Sequence, residues 1–291
     1  MPFRYNTSGQ WFKGNTHLHS TASDGGKTFS ELAELYASAG YDFLFRTDHW
    51  VPSDVGGDPE TYPLLWLDGI ELDGNDATGA YFHVVCLGKV EGIRREDGFE
   101  AGLKAAIKQG AITILAHPYW SGNALDDGVR WALDGVEIYN HVCHWLNGKS
   151  DGRTHWDATL MKKPTTLGLA VDDAHLRPEH PGWNGGWIMI NAPVRTTAEI
   201  TRAIRQGNFY SSRGPELYDL RLEGDVLHVK SSPVQLARLV GPGANGRRAG
   251  TFDGELFESF TLEVPPDWQY AYLEVEDSTG KKAWTNSLFT P

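Results

Sequence analysis

Short apolar runs alternate with helical patterns over roughly the first two thirds of the chain. Thr28-Phe29-Ser30-Glu31 has the form of a capping box, and apolar residues then recur at helical spacing as far as Gly40. The same spacing recurs in three later segments, each bounded by glycine, proline or a capping residue. Helices are therefore predicted over 28–40, 97–109, 156–161 and 196–207.

The apolar runs between these helices have the length and composition of buried strands. An extended run starts at Trp11. Further strands are predicted over 42–47, 64–72, 81–88, 111–116, 135–139, 165–171 and 187–191. Strands separated by helices indicate a parallel sheet, so the fold class predicted for this part of the chain is α/β.

The pattern changes after Gly214-Pro215, where alternating runs follow one another without helices between them. Strands are predicted here over 217–222, 226–230, 235–240, 260–264, 270–275 and 283–288. Two turn-rich links, at 224–225 and 278–280, suit hairpins. The chain therefore divides into residues 1–214, an α/β unit, and residues 215–291, a small antiparallel β-domain.

Polar residues of the types that bind metals follow the predicted strands. His17 and His19 are one residue apart, so on a strand their side chains project to the same side. Asp24 lies in a small, polar turn just beyond them. The remaining candidates are Asp48-His49, Glu71, His117 and Asp172-Asp173-Ala174-His175 at strand ends, with His83 inside its run. Because the C-terminal ends of barrel strands meet at one face, this distribution favours a closed barrel with one shared site.

The ordered set of motifs resembles the polymerase and histidinol phosphatase (PHP) superfamily of metal-dependent hydrolases. The motifs are His17-x-His19 with Asp24, Thr47-Asp48-His49, Glu71, His83, Ala116-His117-Pro118 and Asp173-x-His175. The resemblance implies a distorted (β/α)7 TIM-like barrel. The tail, from Phe209 to Asn286, resembles the small β-domain that follows the barrel in some members, a few of which are named after carbamate hydrolases.

The resemblance also implies a trinuclear site with a bridging hydroxide as the attacking group. His17, His19, Glu71 and Asp173 would hold the first ion; Glu71, His83 and His117 the second; Asp24, His49 and His175 the third. Mixed imidazole and carboxylate ligands suit zinc, manganese and iron, so two to three divalent ions of these kinds are expected as cofactors. Glu71, as the bridging residue, is also predicted to be required for catalysis.

Several other residues are candidates for substrate or proton-transfer roles. Asp48 and Asp172 either accept hydrogen bonds from ligand imidazoles, act as proton shuttles or cap turns. Among Arg46, Arg153 and Arg177, Arg177 is the predicted anion clamp because it follows His175 so closely.

Five histidines lie outside the motifs. His141, His144 and His155 either line the substrate pocket or lie on the surface, and the surface is favoured for His144. His180 and His228 are predicted to be structural.

The composition limits the classes of molecule that the protein is expected to bind. The net charge of −12 argues against sequence-independent nucleic-acid binding, which needs lysine and arginine to neutralise phosphates. No apolar stretch approaches the length of a membrane span. Cys86 and Cys143, the two cysteines, lie in or beside apolar runs, where buried free thiols suit a cytoplasmic protein. The expected partner is therefore a small-molecule substrate, with no nucleic acid and no membrane; the oligomeric state is left open.

Three functions are compatible with these residues. The first is a metal-dependent phosphoesterase acting on a small phosphate ester, without a covalent enzyme intermediate. The second is a carboxyl ester or carbamate hydrolase with the same metals, and the third is a non-catalytic metal-binding module. Two or more arginines near the metals would favour phosphate, whereas an apolar pocket lined by Trp120, Trp145 or Trp183 would favour a neutral ester or carbamate.

Overall fold

The protein has a mixed α/β fold with one large and one small sheet. The computed structural model describes residues 2–250 and 253–290. The strands are β1 (Gln10–Asn15), β2 (Phe43–Arg46), β3 (Leu65–Asn75), β4 (Tyr81–Leu87), β5 (Ile112–Leu115), β6 (Gly135–Asn140), β7 (Leu167–Val171), β8 (Trp187–Ala192), β9 (Phe209–Ser212), β10 (Leu217–Glu223), β11 (Val226–Val234), β12 (Leu236–Val240), β13 (Gly246–Ala249), β14 (Phe257–Glu263), β15 (Tyr272–Glu276) and β16 (Lys282–Thr285). The helices are α1 (Phe29–Ser38), α2 (Phe99–Lys108), α3 (Pro118–Ser121), α4 (Asp127–Arg130), α5 (His141–Asn147), α6 (Arg153–Leu160) and α7 (Thr197–Gln206), with short 3-10 turns at Val55–Gly57 and Arg95–Asp97.

The large sheet has the strand order β13-β12-β15-β16-β9-β8-β1-β2-β3-β4-β5-β6-β7, and β10, β11 and β14 form the small one. The pairs β1–β2, β2–β3, β5–β6 and β6–β7 are parallel. The α/β class predicted from the sequence is therefore confirmed, together with a separate small antiparallel sheet.

The chain segment after β7 pairs with the segment after β1. Just beyond β1 and β7, Leu18 and Ala174 form a parallel bridge. The amide of His19 donates to the carbonyl of Ala174 at 2.9 Å, and the amide of Asp173 donates to the carbonyl of His17 at 2.9 Å. These bonds bring the ends of two strands that are far apart in the sequence to the same place.

The region around β4 departs from the predicted parallel pattern. β4 is antiparallel to both β3 and β5. The link between β3 and β4 is a short turn, and a parallel connection needs a crossover of a dozen or more residues. β3 also continues to Asn75, so Glu71 lies inside this strand and not at its end.

Sequence patterns locate the main helices well. Thr28 caps α1 as predicted: its side chain accepts from the amide of Glu31, whose side chain accepts from the amide of Thr28.

The side chains of β2 alternate between the two faces of the sheet, because Phe43 and Phe45 are buried in one apolar cluster and Leu44 in another. Both faces of β2 therefore pack against apolar residues, which explains why its sequence is continuously apolar.

The C-terminal strands join the large sheet through β9 and β16. The predicted division at residue 214 falls between β9 and β10. Buried Glu274 of β15 ties this region to α6, accepting from Nη1 of Arg153 at 2.9 Å and from Nε1 of Trp284 at 2.8 Å. Across the described residues, none of the helices combines the length and apolar character needed to cross a bilayer.

Candidate metal centre

The segment that follows β1 forms the floor of the site. His17 and His19 are fully buried, and their Nε2 atoms lie 3.2 Å apart. Both face Oε2 of Glu71, at 3.1 and 3.3 Å, and Oδ1 of Asp173, at 3.3 and 3.1 Å. Two imidazoles and two carboxylates therefore point at one small volume.

Glu71 lies at the centre of the cluster. Its Oε1 is 2.7 Å from Nδ1 of His83 and 3.6 Å from Nε2 of His117. Its Oε2 is 3.2 Å from Nδ1 of His49, which is brought alongside β3 by a parallel bridge between His49 and Glu71. One carboxylate thus faces imidazoles on both of its oxygens.

A loop places Asp24 beside His175 and His19 in the cluster. Oδ2 of Asp24 lies 3.2 Å from Nε2 of His175, and its Oδ1 lies 3.6 Å from Nδ1 of His19. Gly25 and Gly26 allow this approach, since a Cβ on them would fall 2.2 Å from the carbonyl oxygen of His19 and 2.5 Å from that of Leu176. The small residues of the predicted turn are therefore needed for close packing.

Two of the candidate ligands have an unusual backbone. His117 has φ of 27° and Asp173 has φ of 56°, a region that residues with a side chain rarely occupy. Such conformations cost energy and persist where the surrounding structure holds them, which is common at functional sites. Here they direct His117 toward Glu71 and Asp173 toward His17 and His19.

All nine predicted ligands thus converge, and their donor chemistry fits divalent cations. Three groups of ligand atoms each lie within 4.8 Å of one another: His17, His19 and Asp173; His49, Glu71 and His83; His19, Asp24, His49 and His175. Nδ1 of His19, Nδ1 of His49 and Oε2 of Glu71 are buried and make no hydrogen bond of suitable geometry, although each lies within 3.6 Å of an oppositely charged group. Buried polar atoms are nearly always paired, so three atoms in this state suit a site that could hold cations.

Attraction between the imidazoles and the carboxylates shifts the pKa values of the cluster residues. Burial alone would lower the pKa of His19, but Asp173 and Glu71 outweigh it and raise that pKa to about 9. Burial alone would raise the pKa of Glu71, but His17, His49 and His83 hold it well below its usual range. The carboxylates are therefore ionised at neutral pH, which is the form that binds cations.

A buried carboxylate that the sequence analysis missed holds His17. Oε1 of Glu137 on β6 lies 2.6 Å from Nδ1 of His17, and its Oε2 accepts from the amide of His117 at 2.8 Å and from Nδ2 of Asn140 at 3.0 Å. The carbonyl of Asp173 similarly accepts from Nδ1 of His175 at 2.9 Å. Such bonds fix the ring orientation and leave Nε2 directed at the centre.

A signal for Glu137 was present in the sequence. It is an acidic residue inside an otherwise apolar strand, as Glu71 is. Asp73 was also missed; its Oδ1 lies 3.2 Å from Nδ1 of His49, while its carboxylate pairs with Arg95.

The cluster opens into a pocket of about 190 Å³. Trp120, Val142 and Leu146 form an apolar wall. Arg177 lies at the side, half-buried, with Nη2 at 3.7 Å from Oδ2 of Asp24. His180 also lines the pocket, with its ring centroid 5.5 Å from that of His175, and its structural role stays a prediction.

Asp48 and Asp172 hold loops instead of facing the pocket. Asp48 accepts four hydrogen bonds from the amides and hydroxyls of Ser20 and Ser23. Asp172 accepts from Asn15, Tyr36 and the amides of residues 184–186. Of the three roles considered for these carboxylates, the hydrogen bonds support turn capping, and a catalytic role for either residue stays a prediction.

The other candidate side chains lie away from the pocket. Arg46 pairs with Asp58, and Arg153 with Asp151 and Glu274. His141 contacts the Tyr139 hydroxyl at 2.9 Å. His155 is buried, with Nε2 at 3.0 Å from the carbonyl of Asn123, and His144 is exposed as favoured from the sequence.

A serine motif can be set aside on structural grounds. Gly148-Lys149-Ser150-Asp151-Gly152 matches Gly-x-Ser-x-Gly, but it lies between α5 and α6. A nucleophile elbow requires a sharp turn from a strand into a helix. The pentapeptide therefore does not form one.

Comparison with known proteins supports the fold. A two-domain protein from Bacteroides vulgatus that contains a predicted PHP-like metal-dependent phosphoesterase superposes with a TM-score of 0.55; the match covers 97% of this chain and 88% of that one, with 15% identity. A protein from Bifidobacterium adolescentis assigned as a metal-dependent phosphoesterase matches 57% of this chain and 89% of its own, with 14% identity and a TM-score of 0.39. No protein-family model and no curated protein sequence gives a significant match. The chain thus shares the fold of the two-domain PHP-like protein from Bacteroides vulgatus, as the motifs predicted.

Proposed function

We propose that this protein is a metal-dependent phosphoesterase that hydrolyses a small phosphate ester. The observation that carries the proposal is the convergence of nine imidazole and carboxylate side chains, Glu71 among them, at the base of a pocket. Divalent ions held there would activate water and offset the negative charge of the substrate and transition state. The described residues that line the pocket all precede residue 181, so the proposed domain 215–291 would not contribute to the chemistry.

The proposed architecture is a distorted barrel of seven strands, β1 to β7. The parallel bridge between Leu18 and Ala174 supports closure between β7 and β1. The antiparallel β4 would be the distortion. In such a barrel the site lies at the C-terminal face, where the ligands from β1, β2, β5 and β7 emerge.

The proposed ligand sets are those implied by the PHP resemblance. His17, His19, Glu71 and Asp173 would hold one ion, Glu71, His83 and His117 a second, and Asp24, His49 and His175 a third. Short distances from Glu71 to five imidazoles, His17, His19, His49, His83 and His117, support its bridging position.

Arg177 would bind the anionic part of the substrate. Its Nη2 reaches toward Asp24 at the edge of the cluster, while its Nε makes no hydrogen bond and lies 3.5 Å from Oε1 of Glu179. An arginine can donate two parallel hydrogen bonds to a phosphate. Arg177 would therefore place a positive charge beside a phosphate monoester held over the metals.

The wall of the pocket favours a second candidate. Trp120, Val142 and Leu146 are apolar, and Arg177 is the one arginine among the described residues that line the pocket. This composition suits a carboxyl ester or carbamate with an apolar group. The same metals would serve that reaction, so the choice rests on the substrate.

A panel of substrates that share one leaving group distinguishes between the two candidate functions. The metal-loaded protein is assayed on 4-nitrophenyl phosphate, bis(4-nitrophenyl) phosphate, 4-nitrophenyl acetate and a 4-nitrophenyl carbamate. We expect the highest kcat/KM for a phosphate, and Arg177→Gln should reduce that value at least tenfold without changing turnover of acetate. Arg195→Gln, which alters an exposed arginine outside the pocket, is the matched control.

Other results reassign the function. Faster turnover of the acetate or carbamate, insensitive to Arg177→Gln, establishes the second candidate. Metal binding without turnover of any substrate establishes a non-catalytic module.

A further inference from the structure

The pocket over the metal cluster has two chemically different kinds of wall. Trp120 contacts two of the candidate ligands, because its ring centroid lies 5.0 Å from that of His117 and 5.8 Å from that of His83. Arg177 approaches Asp24 instead, with Nη2 at 3.7 Å from Oδ2. An aromatic ring and a guanidinium therefore adjoin different ligands of the same cluster.

Helix α5 supplies the rest of the apolar wall. Val142, Cys143 and Leu146 line the pocket at positions that share one face of a helix. Val142 and Cys143 are 2% and 1% exposed, whereas Leu146 is 38% exposed. Asn140 anchors the start of α5 to the cluster, since its Oδ1 accepts from the amide of Cys143 at 3.0 Å and its Nδ2 donates to Oδ2 of Asp173 at 3.1 Å. Leu146 is therefore the apolar side chain of α5 that a ligand in the pocket can reach.

Trp120 provides the second accessible apolar surface. It is half-buried, and its amide donates to the carbonyl of His117 at 2.9 Å, which holds it next to this ligand. Apart from the cluster itself, Arg177 and His180 are the polar side chains among the described residues that line the pocket, and none of these residues carries a hydroxyl or an amide side chain. A hydroxyl buried without a partner is costly, so this lining disfavours a sugar.

The volume of the pocket limits the size of the substrate. The pocket measures about 190 Å³, whereas typical ligand sites measure about 300–1,000 Å³. An apolar cavity of about 150 Å³ is enough to hold a benzene ring. The pocket therefore suits one ring or a branched chain of similar size, and not the base and sugar of a nucleoside.

We propose that the substrate is a phosphate monoester of a small apolar alcohol, whose ring or branched chain packs against Trp120 and Leu146. This inference rests on the proposed phosphoesterase function and adds the class of leaving group. Hydrolysis forms a bond from the oxygen of water to phosphorus and breaks the bond from phosphorus to the alcohol, which leaves with one proton of that water. Apolar burial stabilises binding in proportion to the area removed from water. Trp120 and Leu146 therefore determine specificity and take no part in bond cleavage.

Benzylphosphonate and methylphosphonate test the apolar contact without turnover, because their carbon–phosphorus bonds resist hydrolysis. Isothermal titration calorimetry measures the binding of each to the metal-loaded full chain. Both carry the same oxyanion, so the ratio of their dissociation constants cancels any effect of a substitution on the metals. We expect benzylphosphonate to bind at least tenfold more tightly, since a single methylene in an apolar pocket already changes affinity by about 10–200-fold.

Trp120→Ala and Leu146→Ala should each reduce this preference at least threefold. Leu146 is partly exposed, so Leu146→Ala provides the test if Trp120→Ala does not fold. Tyr119→Ala and Leu125→Ala are the matched controls, because both remove large exposed side chains that are not among the described residues lining the pocket. Both controls should leave the ratio unchanged. Equal binding of the two phosphonates, or a preference that survives both Trp120→Ala and Leu146→Ala, overturns the inference.

A second pair of compounds distinguishes failure of the apolar contact from failure of the proposed function. Benzyl acetate and methyl acetate release alcohols of similar acidity, so the ratio of their kcat/KM values also reports the apolar contact. If neither phosphonate binds but benzyl acetate is preferred in a Trp120-dependent manner, the phosphate ester is overturned as the substrate and the apolar contact is retained. If neither pair shows a preference while 4-nitrophenyl phosphate is hydrolysed, the phosphoesterase function stands and the inference fails.

Discussion

Nδ1 of His17 lies 2.6 Å from Oε1 of Glu137, and both side chains are buried. A carboxylate can only accept, so this contact places the proton of a neutral His17 on Nδ1 and the lone pair on Nε2. The Nε2 atom then faces Glu71 and Asp173, where a metal ion would bind. Glu137 is therefore expected to orient a metal ligand without contacting the metal or the substrate.

Glu137→Gln should weaken metal binding while leaving most of the fold intact. The Glu137 carboxylate accepts hydrogen bonds from His17, from the amide of His117 and from Asn140. The NH₂ group of glutamine cannot accept, so at least one of these donors loses its partner and the ring of His17 loses its fixed orientation. Loss of such a partner typically costs 10–100-fold in metal affinity. Competition with a chromophoric chelator measures this change, and Glu274→Gln is the matched control because it alters a buried carboxylate far from the site. An unchanged affinity would show that His17 does not depend on Glu137.

The protein purified without chelator should contain two to three equivalents of zinc, manganese or iron by elemental analysis. Glu71→Ala should lower this content and abolish turnover, because Glu71 faces five imidazoles. His155→Ala, which removes a buried histidine bonded to the Asn123 carbonyl, should retain the metals. Equal effects of the two substitutions would rule out the bridging role of Glu71.

Asp172→Asn should destabilise the fold more than it affects the reaction. The carboxylate accepts hydrogen bonds from Asn15, Tyr36 and three backbone amides, so an asparagine would direct an NH₂ group against at least one donor. The expected cost is about 1–3 kcal/mol in the free energy of unfolding. Chemical denaturation measures this cost, and kcat of the folded fraction should remain within a few-fold of the wild type. A large loss of kcat at unchanged stability would restore the proton-shuttle role.

Glu274 should make stability depend on pH. Burial alone would raise its pKa, but Lys282, Trp284 and Arg153 outweigh it and hold the pKa below 4.5. A carboxylate with a lowered folded-state pKa stabilises the protein above its unfolded-state pKa, and this stability is lost as pH falls through the folded value. Glu274→Gln should therefore lower the melting temperature at pH 7, with the difference shrinking below about pH 4. A difference that does not change with pH would mean that the charge of Glu274 is not involved.

The reaction should transfer oxygen from water directly to the product. The described pocket-lining side chains include no serine, and burial raises the pKa of the Cys143 thiol, which disfavours the reactive thiolate. A single turnover in ¹⁸O-labelled water should place one label in the acid product. Mass spectrometry that detects a phosphoryl- or acyl-enzyme would instead establish a covalent intermediate.

The sequence alone determined the local elements and the identity of the candidate ligands. The capping box at Thr28 and the apolar runs at β2 and β7 depend on short-range spacing, which a single chain displays directly. The pair His17-x-His19 and the motif Asp173-x-His175 are equally local. For this reason the α/β class, the change of pattern near residue 214 and the nine convergent side chains were all predictable.

Only the tertiary structure decided the partners of these residues. His17 and Glu137 are 120 positions apart, and Asp172 meets Asn15 from 157 positions away. Such contacts depend on strand order, register and loop closure, which residue spacing does not encode. The antiparallel setting of β4 and the loop-holding role of Asp48 follow from the same cause. Each is defined by which distant groups the fold places, or does not place, within hydrogen-bonding distance.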